Sequence, residues 1–322
     1  MPIKMKVCNG AEYNRSLKQR GRIFHYFDEA VRNWLNKSNS KFVYSDKLFE
    51  ILVAVRYLLR TPFRQLQGLL EEYIKRRNLK LPIPNFSTLC RRMKKKALKI
   101  IDHRSNQQKQ SMTRTVDILL DSSGINIYHT GGGHSKENVG DRKYKHYSQV
   151  RKMHVALNLE TKDVVAMHMS SGSTADSTAA PIVVAKIAGR IDSIYADGGY
   201  DRVTVRRMCH ARQATQIIPP HRNAVMRSPR KNDPPDLWVA RNAAVAMMRS
   251  YINVEDGLNE WKKSQNYGVR SHVEGFFSRF KRCFGFHFMS RSDQARENEL
   301  ITKINLLNYF NKDNVARYAK VT

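Results

Sequence analysis

The spacing of hydrophobic and polar residues changes near residue 113 and divides the chain into two parts. Before this point, apolar residues recur at helical spacing in DKLFEILVAVRYLLR and FRQLQGLLEEYIKRR, which predicts two amphipathic helices. The prolines of LKLPIPNF end the second helix, and TLCRRMKKKALK predicts a short basic helix after them. The first part is therefore expected to be all-helical, in an order typical of a helix-turn-helix-like domain.

After residue 113 the pattern is typical of strands. TVDILLDSSGINIY, KMHVALNLE and DVVAMHMS predict three strands in a meander, with a tight turn between the second and the third. SIYAD and TQIIPP predict a fourth and a fifth strand, each preceded by a helix. A three-stranded meander followed by alternating helices and strands is the order of the ribonuclease H-like fold, so we expect an α/β domain with a mixed five-stranded sheet.

These patterns predict two domains. Residues 1–110 would form the helical domain, and residues 111–322 the ribonuclease H-like domain, with a polar insertion at about residues 220–262. Three consecutive glycines and many Lys and Arg residues between Thr130 and Ser148 predict a mobile basic loop in the second domain.

The charge of the chain indicates its partner. The chain has 57 Lys and Arg residues against 28 Asp and Glu residues, a net charge of +29. Residues 1–110 alone hold 25 Lys and Arg residues and 8 Asp and Glu residues. Such an excess indicates a polyanion, with nucleic acid as the first candidate and an anionic membrane surface as the second. No apolar run reaches the roughly 18 residues of a membrane-spanning helix, so no membrane partner is expected.

The basic helix of the first domain is the candidate DNA contact. Thr88, Arg91, Arg92 and Lys95 would enter the major groove or contact phosphates. The alternative is that RRMKKK is a charge run on a solvated helix with no specific partner.

Three carboxylates are candidates for a metal site. Asp121 lies in or at the end of the first strand, Asp197 ends the fourth strand, and Glu274 lies on a later helix. The first and fourth strands are adjacent in the predicted order, so these acids can converge. Carboxylates without a His or Cys cluster suit Mg²⁺ or Mn²⁺ rather than Zn²⁺. Two such ions about 4 Å apart can cleave a phosphodiester.

The Glu274 helix has further candidate groups on the same face. Tyr267, Arg270, Glu274 and Lys281 fall within about 60° of each other at helical spacing. A neighbouring stripe, formed by Val273, Phe276, Phe277 and Phe280, can anchor the helix on a core. A carboxylate flanked by two cations and a phenol can hold a metal ion and a phosphodiester together. The alternative is a solvated face with an Arg270–Glu274 ion pair.

Three motifs resemble those of one family. LLDSSGI, YADGGYD and Y-x2-R-x3-E-x6-K resemble the DDE transposases of bacterial insertion sequences, in the four/five superfamily. The resemblance extends from about residue 13 to residue 310 and includes PFRQLQG and PNFSTLCRR. One departure is Ser-Ser-Gly after Asp121, where the family pattern has Ser-Thr-Gly.

The resemblance implies a role for each candidate residue. Asp121, Asp197 and Glu274 would be the metal-binding catalytic triad. Tyr267, Arg270 and Lys281 would position the transposon end by stacking or phosphate contact. Arg151 and Lys152 match a basic segment before the second strand, and they are candidate DNA contacts.

The resemblance also implies an activity. The protein would bind terminal inverted repeats, hydrolyse DNA at the element ends and transfer the 3′-hydroxyl ends to target DNA. It would use two Mg²⁺ ions, for which Mn²⁺ can substitute, and work as a homodimer or larger assembly in the bacterial cytoplasm, at the nucleoid. The alternatives are a DNA-binding protein without catalysis and a ribonuclease H-like nuclease that cuts without strand transfer.

Other titratable residues compete for roles in the site. Asp117 lies on the first strand, four residues before Asp121. Asp176 and Asp201 are interpreted as helix caps. His154, on the predicted polar face of the second strand, could lie near the metal ions or be a structural histidine.

Overall fold

The computed structural model describes residues 5–36, 43–95, 99–101, 115–127, 150–311 and 318–320. The chain divides into two compact units. Unit 1 comprises Met1–Lys99 and Arg282–Thr322, and unit 2 comprises Ile100–Lys281. The predicted basic loop between Thr130 and Ser148 lies outside the described residues.

The described elements are numbered in chain order. As far as residue 95 they are β1 (Met5–Val7), α1 (Gly10–Arg20), α2 (Ile23–Arg32), α3 (Asp46–Leu59), α4 (Phe63–Arg76) and α5 (Phe86–Lys95). From there to residue 217 they are β2 (Val116–Asn126), β3 (Val150–Asn158), β4 (Val164–Ser171), α6 (Asp176–Ala185), β5 (Ile191–Tyr195), α7 (Val203–Ala211) and β6 (Thr215–Ile217). The last are α8 (Val239–Arg249), α9 (Val254–Ser264), α10 (Ser271–Phe284), α11 (Asp293–Asn311) and β7 (Tyr318–Lys320).

The N-terminal part of unit 1 is helical, as predicted, apart from β1, which pairs antiparallel with β7. Helices α2 to α5 enclose an apolar core, whose fully buried members include Leu48, Leu52, Leu66, Leu70 and Leu89. Ser45 caps α3, because its hydroxyl accepts a hydrogen bond from the Leu48 amide at 3.0 Å. The Trp34 indole donates to the Pro82 carbonyl at 2.7 Å and holds the proline segment on the helices.

Helix α11 belongs to unit 1, although the predicted boundary assigned residues 282–322 to the second domain. It packs against α3 and α5 and buries side chains around most of its circumference. One side carries an ion pair between Glu299 and Lys303, whose side chains are 0% and 2% exposed. The Glu299 carboxylate also accepts hydrogen bonds from the amides of Met289 and Ser290. A helix buried on all sides needs neighbours on all sides, and the N-terminal helices supply them.

Unit 2 contains the predicted mixed five-stranded sheet, with strand order β4-β3-β2-β5-β6. Strand β3 is antiparallel to β2 and β4, whereas β2, β5 and β6 run parallel. The first and fourth strands of this sheet are therefore adjacent, as the ribonuclease H-like order requires. An apolar core between the sheet, α6 and α7 includes Ile118, Ala156, Val183, Ile194 and Val205.

Strand β3 is buried on both faces, so its predicted polar face is not exposed to solvent. His154 is 2% exposed and Asn158 is 3% exposed. Helix α6 covers this face through its contacts with β3 and β4. Apolar and more polar side chains do alternate along β3, but both faces of the strand are buried.

The predicted insertion contains two helices, α8 and α9, that meet closely. A Cβ atom at Gly257 would lie 2.5 Å from the Met248 carbonyl oxygen and 2.8 Å from its Cα atom. Only glycine permits this approach of one backbone to another.

Asp201 is not the helix cap that was predicted. Helix α7 begins at Val203, so Arg202 occupies the N-cap position, and its side chain makes no capping hydrogen bond. The Asp201 carboxylate is buried between two guanidinium groups and accepts from Arg206 at 3.0 Å and from Arg241 at 2.9 Å. The side chains of Arg206, Arg241 and Asp201 are 1%, 3% and 6% exposed. This ion cluster attaches α8 of the insertion to the sheet domain.

None of the helices in the described ranges is long and apolar enough to cross a lipid bilayer.

Candidate active site

The candidate site lies where the pairing of β2 with β5 ends. The last paired residues are Leu119 and Tyr195, so Asp121 continues along β2 without a neighbour from β5. Asp197 follows the end of β5 by two residues. The carboxyl ends of two adjacent parallel strands form a crevice, which is the usual position of a site in an open α/β sheet.

Asp197 is oriented by the turn that follows it. It caps a 3-10 turn, Gly198–Tyr200, and its Oδ1 atom accepts from the Gly199 amide at 2.8 Å. A Cβ atom at residue 199 would lie 2.9 Å from the same oxygen. Glycine at this position therefore allows the carboxylate to fold back onto the turn.

Arg270 connects the carboxylates of two distant segments. Its Nη1 atom donates to Asp121 Oδ2 at 3.3 Å and to Glu274 Oε1 at 3.0 Å. Its Nε atom donates to the Tyr267 hydroxyl at 3.2 Å, and that hydroxyl donates to the Ala196 carbonyl at 3.3 Å. Tyr267 and Arg270 form a 3-10 turn immediately before α10, which carries Glu274. This turn therefore joins Asp121, Glu274 and the segment next to Asp197.

The site concentrates negative charge at a buried position. The Asp121 and Arg270 side chains are each 16% exposed, whereas Glu274 is 62% exposed. The pKa of Asp121 is raised to about 6, chiefly by burial and to a smaller extent by the charges of Asp197 and Glu274. The amide of Ser122 and the Arg270 guanidinium act in the opposite direction on this pKa. Asp121 is thus an incompletely compensated carboxylate, which a cation would stabilise.

The donor set fits a divalent cation that prefers oxygen ligands. In the described part of the chain, no three His, Cys, Asp or Glu side chains converge closely enough to hold a metal ion. Arg270 supplies the positive charge between Asp121 and Glu274. The chemistry of the donors and the raised pKa of Asp121 fit the predicted cation, although three ligands are not assembled around one point.

The pKa of Asp121 predicts an effect on stability. Because this pKa lies above its ordinary value of 3.8, ionisation of Asp121 costs folding free energy as the pH rises through about 6. The cost is complete above that pH and amounts to on the order of 3 kcal/mol. Asp121→Asn should therefore raise the unfolding temperature of the metal-free protein at pH 8 and have little effect at pH 4.

Calorimetry or circular dichroism at the two pH values would measure this difference. Asp192, an exposed acid on β5, provides the control, since Asp192→Asn should change neither value. Destabilisation by Asp121→Asn at pH 8 would contradict the prediction.

The other predicted residues of unit 2 have separate surroundings. Lys281 lies two turns after Glu274 on α10, and partial burial lowers its pKa. Arg151 Nη1 donates to the Val150 carbonyl at 3.4 Å. Lys152 donates to the Thr174 carbonyl at 2.9 Å and to the carboxylate of Asp176, and it is therefore engaged within the protein.

The predicted DNA contacts of α5 differ in their exposure. Arg91 is exposed and Thr88 is half-buried. Arg92 forms an ion pair with Asp46 and lies over the Phe49 ring, 4.5 Å from its centre. The side chain of Lys95 lies outside the described residues. Contact of these residues with DNA stays a prediction.

Asp176 contacts the face of β2 that lies opposite Asp121, and the role predicted for it was wrong. Helix α6 begins at Asp176 and is capped by Ala175, so Asp176 is not the cap that was predicted. Its Oδ1 atom accepts from Ser122 Oγ at 2.8 Å. The alternation of β2 could have indicated this contact, since Ser122 must face away from Asp121. His154 faces the same acid, with Nδ1 and Oδ1 3.6 Å apart, and its burial lowers its pKa to about 4.

Comparison with known proteins identifies the family. Two family models, both described as "Transposase DDE domain", match residues 112–309 and residues 18–130. Among solved structures, the chain is similar to the Drosophila P element transposase strand transfer complex, with 11% identity over 88% of this chain and 71% of that chain and a TM-score of 0.34. It is also similar to the Mos1 transposase paired-end complex with left transposon end, with 12% identity over 81% and 84% of the two chains and a TM-score of 0.24.

TM-scores this low add no support, so the assignment rests on the family models. The match over residues 112–309 covers more than half of the chain and includes Asp121, Asp197 and Glu274. It confirms the family that the sequence motifs predicted, while the superfamily and the bacterial source stay predictions. The chain belongs to the DDE transposases, enzymes that use divalent metal ions to cut DNA and transfer its strands.

Proposed function

We propose that Asp121, Asp197 and Glu274 are the carboxylates with which this transposase holds two Mg²⁺ ions, for which Mn²⁺ can substitute. The observation that carries the proposal is the link through Arg270, whose Nη1 atom bonds to both Asp121 and Glu274. Asp197 lies close enough to affect Asp121 electrostatically, because its charge contributes to the raised pKa of Asp121. Three acids from three distant segments thus share one electrostatic site.

The bound ions would activate the attacking hydroxyl and stabilise the leaving oxyanion of the phosphodiester. Residues of the chain hold the proposed metal ligands in place. Asp121 presents a buried carboxylate, which attracts a cation more strongly than an exposed one does. Arg270 and Tyr267 keep Asp121, Glu274 and the end of β5 in a fixed relation before DNA arrives. Pre-organised charges need little rearrangement during the reaction.

The substrate we propose is the DNA at the two ends of the element. Unit 1 would bind the terminal inverted repeats through Thr88, Arg91, Arg92 and Lys95, of which Arg91 is exposed and Arg92 is paired with Asp46. In unit 2, Tyr267, Arg270 and Lys281 would position the cleaved end, and Arg151 is the remaining candidate contact, since Lys152 is bonded to Thr174 and Asp176. Because both ends must be cut together, the active form would be at least a homodimer, acting at the bacterial nucleoid.

The test uses purified protein and labelled DNA that carries the ends of the element. In Mg²⁺, we expect nicking at the repeat boundary and joining of the new 3′ ends to a target plasmid, and in EDTA we expect binding alone. Nicking without joining would favour a nuclease. Binding without nicking in Mg²⁺ or Mn²⁺ would favour a DNA-binding protein without catalysis.

The turn after β5 predicts a specific loss of activity. In Gly199→Ala, the new methyl group would displace the Asp197 carboxylate, whose Oδ1 atom lies 2.9 Å from the Cβ position. A displacement of about 1 Å at a catalytic group can cost about 100-fold in rate. We therefore expect cleavage in Mg²⁺ to fall by about that factor, while DNA binding in EDTA is unchanged.

Single-turnover cleavage and a gel-shift assay would measure the two properties. Gly198→Ala is the matched control in the same turn, because its Cβ atom would come no closer than 3.4 Å to the Pro219 carbonyl oxygen. Equal losses in both variants would mean that the turn, and not the orientation of Asp197, is what matters.

A further inference from the structure

Strand β2 presents two neighbouring residues to opposite faces of the sheet. Asp121 faces Arg270, and Ser122 faces α6, where its hydroxyl donates to Asp176 Oδ1 at 2.8 Å. The Ser122 amide donates to Asp121 Oδ1 at 2.8 Å. A single residue is therefore bonded to a proposed metal ligand through its backbone and to a fourth carboxylate through its side chain.

The fourth carboxylate is itself held in place. Lys152 Nζ donates to Asp176 Oδ1 at 3.1 Å and to the Thr174 carbonyl at 2.9 Å. Asp176 occupies the first turn of α6, where a negative charge is favoured by the helix dipole. His154 packs beside it and is fixed by a 2.8 Å hydrogen bond between its Nε2 atom and Ser170 Oγ.

The register of the sheet explains why these groups meet. Ser122 pairs with His154 and Gly124 pairs with Lys152, so both β3 side chains lie on the face of β2 that carries Ser122. On the other side, the pairing of β2 with β5 ends at Leu119. The segment that carries Asp121 is thus held by β3 alone within the sheet, and the Asp176 contact provides a second attachment.

We infer that Asp176 is a positioning residue for Asp121, acting through Ser122, and that Lys152 is the counter-ion of Asp176 rather than a DNA contact. The inference rests on the proposed metal-binding role of Asp121. The Asp176 carboxylate is bonded to Ser122 and Lys152, and we infer that it acts on Asp121 through Ser122. It fixes Ser122, whose amide fixes Asp121 Oδ1, and so determines the direction of that carboxylate.

The experiment measures Mn²⁺ binding by DNA-free protein with electron paramagnetic resonance, and DNA binding in EDTA by gel shift. The variants are Asp176→Ala, Asp176→Asn, Ser122→Ala and the Asp176→Ala/Ser122→Ala double variant. We expect Asp176→Ala to weaken Mn²⁺ binding by about 10-fold, the lower end of the usual loss when a residue that orients a metal ligand is removed. DNA binding should not change.

Two comparisons separate positioning from general support of the fold. If Asp176 acts through Ser122, the double variant binds Mn²⁺ no more weakly than Asp176→Ala, whereas additive losses would overturn the inference. Asp176→Asn retains an acceptor for the Ser122 hydroxyl and should lose less than about 3-fold. If Asp176→Asn loses as much as Asp176→Ala, or if both lower DNA binding, positioning through Ser122 is wrong.

Three further variants complete the design. Asp192→Ala removes an exposed carboxylate from β5 and should leave Mn²⁺ binding unchanged. Asp121→Ala tests the proposed function itself. If Asp121→Ala leaves Mn²⁺ binding intact, the metal site is wrong, whereas loss in Asp121→Ala without loss in Asp176→Ala overturns only the present inference. Lys152→Gln should weaken Mn²⁺ binding and leave DNA binding unchanged. If this variant instead binds DNA more weakly in EDTA, with a smaller salt dependence, Lys152 contacts a phosphate and is not only the counter-ion of Asp176.

Discussion

Glu274→Gln is expected to abolish DNA cleavage while leaving the fold and DNA binding intact. The glutamine keeps an oxygen that can accept from Arg270, but it lacks the charge that a divalent cation requires. Loss of metal-assisted catalysis removes several kcal/mol of transition-state stabilisation, or about 1,000-fold or more in rate. Glu274 is 62% exposed, so the unfolding temperature should not fall.

Single-turnover cleavage in Mg²⁺, with binding in EDTA, would measure this effect, and Asp121→Asn and Asp197→Asn should behave in the same way. Glu260→Gln is the control, because Glu260 is an acid on α9 whose partner is Lys263. Cleavage by Glu274→Gln within about tenfold of the unmodified protein would remove Glu274 from the proposed triad, since loss of a metal ligand costs more than that.

Asp201→Ala is expected to destabilise unit 2 by about 3–5 kcal/mol, the usual cost of leaving a buried charge without its partner. The substitution leaves two guanidinium groups, those of Arg206 and Arg241, buried without a carboxylate. Because Arg241 lies on α8, the insertion should also detach. Chemical denaturation would measure the loss, and hydrogen exchange should report faster exchange in residues 239–249.

Asp236→Ala is the matched control for Asp201→Ala. Its carboxylate also pairs with a residue of α7, His210, but it is 70% exposed. An exposed pair contributes roughly 0–1 kcal/mol, so little change is expected. Equal destabilisation by the two substitutions would mean that burial of the Asp201 cluster has no special effect.

Short-range patterns were sufficient to predict the elements that carry the site. The alternation in β2 and β3, the tight turn between β3 and β4, and the helical spacing around Glu274 are local properties, and each predicted element is present, except that the helix of Glu274 begins at Ser271 and leaves Tyr267 and Arg270 in a 3-10 turn before it. The strand order followed from the sequence of element types, because a meander followed by parallel strands leaves few topologies. The three proposed acids could therefore be selected before any distance was known.

Contacts between distant segments were not predictable in the same way. Asp176 and Asp201 lie at or just before the start of a helix and look like caps, but Asp176 bonds to Ser122, 54 residues away, and Asp201 bonds to Arg241, 40 residues away. An acidic residue at the start of a helix satisfies the local rule for a cap, but here a distant partner, a serine hydroxyl for Asp176 and a buried arginine for Asp201, determines its position instead. Helix α11 was misassigned for a similar reason, because its apolar residues do not indicate which neighbours bury them.

The wide separation of the proposed acids along the chain has a consequence for synthesis. Strands β2 and β5 must pair before Asp121 and Asp197 approach each other, and such non-local pairing forms slowly. Helix α10 is made later still, and Arg270 and Glu274 arrive with it. A nascent chain that has not reached α10 lacks one of the three carboxylates and the arginine that links two of them. On this reasoning, a product of the gene that is truncated before α10 cannot cut DNA, and because it also lacks α11 it cannot complete unit 1.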